Sequence, residues 1–163
     1  MKILYHGSRE HGLKRLEPRK STHGVYVYAT PEKVLALVFS SKCGDDLTYG
    51  LGRIGKNNPW NLVEKIPGAF EKMFSNSSSI YTVSDETFKD IHTVFSEVVS
   101  EVPVDVISEE YCENVYDGLL KAEKDGLLNI YRYPNKPANY SQDGSYVLDK
   151  IRFYKNKMNK EFS

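Results

Sequence analysis

The chain has 163 residues, 40% of them hydrophobic, and its 22 Lys and Arg are balanced by 22 Asp and Glu. That length suits one domain over residues 1–163, able to bury a core without a disulfide or metal staple. Zero formal charge gives no indication of the broad basic face that nucleic acid needs, and no apolar run is long enough to span a membrane.

Lys2–Tyr5 reads as a short buried strand ending at Gly7. Met1–His6 is too short an apolar stretch for a secretory signal, so a cytoplasmic protein is expected. Val25–Tyr28 is β-branched and aromatic, a second strand. Thr30 suits a helix N-cap and Pro31 the first helical position, and Val34, Leu35, Val38 and Phe39 then recur at helical spacing. Cys43–Asn58 contains four glycines and reads as an irregular surface loop. Asn61–Phe74 reads as helical, broken at Pro67-Gly68. Ile80–Val83 is a third strand, and Thr87–Phe95 fits no single period. Glu97–Val106 alternates as a strand, with Pro103 marking an edge or a bulge.

Ser108-Glu109-Glu110 opens a helix whose stripe is Tyr111, Val115, Leu119 and Ala122, closed by Gly126. Leu128–Tyr133 is another strand, and the mixed-charge tail Tyr146–Phe162 ends in a helix. Strands and helices are interspersed, and no Gly-rich phosphate loop follows a strand. The pattern predicts an α+β fold, not a Rossmann or P-loop fold. Cys43 and Cys112 form no CxxC and read as idle thiols. His6, His11, His23 and His92 do not pair with them at ligand spacing, so no metal site is expected.

Three segments could carry chemistry. In Leu4-Tyr5-His6-Gly7-Ser8, a histidine ends a strand beside a glycine that lets a ligand approach the backbone; the same residues also suit a structural turn. In Gly24–Pro31, the two-residue period puts Tyr26 and Tyr28 on one face, to stack on a planar ligand or to fill a core. In Ser96–Pro103, Glu97, Val99 and Glu101 share a face, either solvated or turned to a site.

Taken in order, the three resemble the ADP-ribosyltransferase fold in its diphtheria-toxin and poly(ADP-ribose) polymerase branch, whose signature is His, Tyr, Glu. The matching elements are the His6-Gly7-Ser8 element, the Gly24–Phe39 strand and helix, and Glu97 with Pro103 six positions on. The resemblance covers scattered segments from about residue 3 to 107. It implies a split β-sandwich around a cleft, flanked by helices, and NAD consumed as a substrate with no tightly bound cofactor. In that frame Glu97 stabilises the cationic ribose, His6 bonds the adenosine ribose, and Gly7 offers its backbone to the carboxamide. Ser8 belongs to the same element. Either Tyr26 or Tyr28 stacks on nicotinamide, with Phe39 opposite. Arg19, with Arg9, Arg15 and Lys20, could neutralise the pyrophosphate. The acceptor of ADP-ribose is open. Two other readings share the fold: an RNA 2′-phosphotransferase-like enzyme, and an inactive nucleotide-binding or interaction module.

Overall fold

The computed structural model describes residues 2–21, 23–41, 48–53, 57–92 and 95–137. In chain order it contains β1 (Ile3–Ser8), β2 (Arg15–Leu16), β3 (Arg19–Ser21), β4 (Gly24–Ala29), α1 (Lys33–Phe39), β5 (Tyr49–Gly52), β6 (Trp60–Glu64), α2 (Ala69–Met73), β7 (Ser78–Ser84), β8 (Phe88–Asp90), β9 (Val98–Ser100), β10 (Val104–Asp105), β11 (Ser108–Cys112), α3 (Val115–Lys124) and β12 (Leu128–Tyr131). The expected α+β class holds: the described residues are mostly sheet with few helices, and the sheets form no closed barrel. The tail read as a helix lies outside the described residues, as does Cys43; Cys112 is a free thiol.

One sheet has the order β1-β7-β11, and a second has β3-β4-β9-β8. Between them lies a core of Leu4, Tyr81 and Val83 from the first sheet and Val27 and Ala29 from the second, closed by Leu16 and Val104 of the β2–β10 pair. Period-two alternation explains the arrangement. Leu4 points into this core, while Gly7, on the opposite face of β1, meets the backbone of α1 at Ala36. Beyond α1, a second core joins Leu35 and Val38 to Val115 and Leu119 of α3, and to Trp60, Leu62 and Leu128 of the third sheet, β12-β6-β5. The two cores are thus the two sides of the β1-β7-β11 layer. The buried carboxylate of Glu64 ties the third sheet to its surroundings, accepting from Phe70 N (2.9 Å), Arg132 Nε (3.0 Å) and Tyr133 N (3.0 Å).

Five sequence expectations change. Glu97–Val106 is not one strand: β9 pairs with β4 and β8, β10 pairs with β2, and Glu97 precedes β9. Trp60–Glu64 is a strand, not the first half of a helix; only Ala69–Met73 is helical there. Tyr49–Gly52, expected in a loop, pairs with β6. Ser108–Cys112 is a strand paired with β7, and the helix begins only after Asn114, whose side chain accepts from Asp117 N at 2.9 Å. α1 begins at Lys33, because the N–H and C=O of Thr30 are bonded across to Tyr5 and hold Thr30 extended.

Candidate functional site

The site forms where β1 and β4 part. Tyr5 and Thr30 exchange backbone bonds of 2.8 and 2.9 Å, an isolated bridge between the two sheets. Past it the strands diverge, and a cavity of about 520 Å³ opens between them, within the range of small-molecule sites. Its walls include His6 and Gly7 from β1, Tyr28 from β4, Phe39 from α1, and Glu97 immediately before β9. Ala29 pairs with Val98, so continuing that register one step sets Glu97 opposite Thr30. Three chain segments therefore meet at one level: β1 at Tyr5, β4 at Thr30, and the approach to β9 at Glu97.

Gly7 is fixed by close approach. A Cβ there would lie 1.9 Å from the carbonyl oxygen of Ala36. Its peptide groups also have a direction. Those of Tyr5 point to Thr30, and a strand repeats every two residues, so those of Gly7 leave the same edge of β1, on the side of the cavity.

His6 has a defined tautomer. Its Nδ1 lies 2.6 Å from the Tyr28 carbonyl, which can only accept, so Nδ1 carries the proton and Nε2 is an acceptor. Burial pushes the pKa of His6 below 6.5; the Tyr28 carbonyl opposes this, Arg19 adds to it, and Glu10 weakly opposes it. The ring is therefore neutral at pH 7.

The sign of the pH effect follows. Below pH 6.5 the unfolded chain takes up a proton that the folded chain resists, so folded stability is full above that pH and falls as pH drops toward the depressed value. Thermal melts from pH 8 to 5 are expected to show this decline, and His6→Gln to flatten it. Glu10, Glu32, Glu71 and Glu109 are each held below 4.5, so their contributions are lost at lower pH and leave the His6 window clear.

Tyr28 is fixed as well. Ser21 Oγ donates to the Gly24 carbonyl at 2.8 Å, so the Tyr28 hydroxyl is the donor in its 2.5 Å bond to Ser21 Oγ. Tyr26 stands edge-on to Tyr28, centroids 6.0 Å apart, and does not line the cavity. Gly24 answers to Tyr26: its φ is +142°, and a Cβ there would come within 2.7 Å of the Tyr26 ring. Phe39 forms a cavity wall and meets Phe95 edge-on at 5.5 Å.

No family model, curated protein or solved structure matches the chain.

The remaining expected residues lie outside the cavity lining. Ser8 ends β1, and its Oγ accepts from Glu10 N at 3.0 Å, a local turn outside the lining. Arg19 is exposed on β3 and paired with Glu10 at 2.9 Å, also outside the lining. Arg15 lies near Glu17 and Asp105, at 3.9 and 3.8 Å. Among the described residues, no group of three or more His, Cys, Asp or Glu could hold a metal ion, and no helix is long and apolar enough to cross a membrane. The sequence reading missed Ser21 and His23, which also line the cavity. Ser21-x-x-Gly24 is a turn-forming spacing that could have pointed to the first.

Proposed function

We propose that the chain is an NAD-consuming ADP-ribosyltransferase with an ADP-ribosyltransferase-like split sandwich, using the cavity between β1 and β4. The observation that carries the reading is that His6, Gly7, Tyr28, Phe39 and Glu97, separated by up to 91 positions in the chain, line one cavity. The bond between ribose C1′ and the nicotinamide nitrogen breaks, its electron pair leaves with nicotinamide, and the sugar becomes cationic. A nucleophilic atom of the acceptor then bonds to C1′ and loses its proton. Such a transition state resembles that of glycoside hydrolysis, and an anion held beside it lowers the barrier. Glu97 is the carboxylate in the cavity wall suited to that role, accepting from the ribose 2′-hydroxyl. His6, neutral with Nε2 bare, accepts from a hydroxyl of the adenosine ribose. The Gly7 peptide meets the carboxamide, and the nicotinamide ring lies between Tyr28 and Phe39.

The test is nicotinamide release from labelled NAD, with and without candidate acceptors. Of the two tyrosines, Tyr28 is the one in the wall. Tyr28→Ala is expected to weaken NAD binding about fivefold or more through lost stacking, and Tyr26→Ala to leave it within about twofold. Calorimetry with equal losses in both variants would count against stacking at Tyr28.

A further inference from the structure

Away from the cavity, four side chains from three segments form one hydrogen-bonded row: Glu109, Ser79, His11 and Ser77. Strand alternation assembles it. Ser79 shares the face of β7 that carries Tyr81 and Val83 into the core. Antiparallel pairing sets Tyr111 of β11 opposite Ser79, and Glu109 opposite Tyr81. Ser77 lies immediately before β7, and His11 comes from the loop after β1. That loop is fastened on both sides of His11: Tyr81 Oη donates to the Glu10 carbonyl at 2.6 Å, and Gly12 N donates to Glu109 at 3.0 Å.

The row has a direction. A carboxylate only accepts, so Ser79 Oγ donates to Glu109 Oε2 at 2.5 Å. Ser79 Oγ, its own proton engaged, accepts from His11 Nδ1 at 2.7 Å. The uncharged ring then has Nε2 as an acceptor, and Ser77 Oγ, 3.0 Å away, donates to it. The Gly12 amide and then the Ser79 hydroxyl hold the Glu109 carboxyl below the usual carboxylate range. A hydroxyl on a bare imidazole nitrogen, with the other nitrogen oriented by a third group, is the arrangement that activates a serine. Ser79 is buried, whereas His11 is exposed and Ser77 half-buried.

We propose that Ser77 is a nucleophile that accepts an acyl group from an activated carboxylic ester, with His11 as its general base. Ser77 Oγ bonds to the carbonyl carbon as its proton passes to His11 Nε2. The adduct then collapses: the bond from carbon to the leaving oxygen breaks with its electron pair, and that oxygen takes the proton from Nε2. The products are an ester on Ser77 and the free alcohol. Ser79 is a positioning residue, which holds Nδ1–H toward Glu109, whose charge stabilises the transient imidazolium. An acyl donor suits the surroundings. The Tyr111 ring, 61% exposed, lies 4.9 Å from the His11 ring and offers the acyl chain an apolar face. The charge of Glu109 opposes a phosphate-bearing donor. The row lies outside the cavity lining, so the inference is independent of the NAD reading.

The probe is para-nitrophenyl acetate on the full chain, with acetyl groups located by peptide mass mapping. Ser75 is the reference: it is exposed, and its Oγ donates to the Lys72 carbonyl at 3.2 Å. Exposure alone would favour Ser75. The row instead predicts that Ser77 of the wild type is acetylated at least about tenfold faster. His11→Gln should slow acetylation of Ser77 about a hundredfold. Ser79→Ala should slow it about tenfold and leave acetylation of lysine side chains unchanged. Folding of both variants is checked by the fluorescence of Trp60, the single tryptophan. Equal acetylation of Ser75 and Ser77 in the wild type overturns the proposal and needs no variant. So does wild-type acetylation of Ser77 in folded His11→Gln, or label confined to lysines or to His11 itself.

Discussion

Glu97→Gln is expected to slow nicotinamide release by roughly a hundredfold or more while leaving NAD affinity nearly unchanged. Glutamine keeps the shape of the side chain and an acceptor oxygen, and removes only the negative charge. The ribose of bound NAD is not yet cationic, so the charge matters little to binding. It matters at the transition state, where the glycosidic bond is breaking and the sugar carries positive charge. Glu101→Gln is the matched control. Glu101 sits past the far end of β9, exposed and paired with Lys89 at 2.9 Å, outside the cavity lining. Full release by Glu97→Gln together with loss in Glu101→Gln would transfer the role to the other carboxylate. Wild-type release in both would leave a nucleotide-binding module as the reading of the cavity.

Gly7→Ala should cost at least about 3 kcal/mol of stability and lower the melting temperature by about 10 °C. The added Cβ would fall 1.9 Å from the Ala36 carbonyl oxygen, 2.8 Å from its carbon and 3.0 Å from the Ser40 Cβ. Two of these are backbone atoms of α1, so relief requires moving the helix off β1 and opening the cavity wall. Gly52→Ala gives the contrast. Nothing lies within 4 Å of a Cβ at Gly52, and its φ is outside the left-handed region. That substitution should be neutral or stabilising by up to about 1 kcal/mol. Equal melting temperatures for the two variants would rule out close approach as the reason for glycine at position 7.

Much of the frame around the cavity was legible because its signals are local. Leu4, Val27 and Val83 lie in strands that alternate or run β-branched, and the α1 stripe of Leu35 and Val38 has helical spacing. The two-residue period over Glu97, Val99 and Glu101 did not decide where Glu97 faces: β9 covers only Val98–Ser100, Val99 is buried and Glu101 is exposed. What misled were segments whose environment cancels their pattern. Trp60–Glu64 is a central strand, flanked by β5 and β12, with four of its five residues buried. A strand covered on both faces shows no alternation. Ser108-Glu109-Glu110 has the chemistry of a helix start, a capping hydroxyl followed by acids, yet pairing with β7 overrides it and Asn114 caps instead. The choice between Tyr26 and Tyr28 depended on where β4 parts from β1, which is set by the Tyr5–Thr30 bridge, a long-range contact with no local signature.

Among the described residues, β11 ends its sheet, joined on one side to β7, with Ser108, Glu109, Glu110 and Tyr111 all exposed. A bare strand edge is a template on which another chain can add, and the sequence here works against that. If two copies met through β11 in the symmetric antiparallel register, Glu110 would face Glu110, a like-charge pair that weakens the ladder. Lys33 of α1 forms an exposed ion pair with Glu110, and Glu109 is engaged by the Gly12 amide and the Ser79 hydroxyl. The acids that imitate a helix start thus place charge on this edge, a feature that works against edge-to-edge pairing.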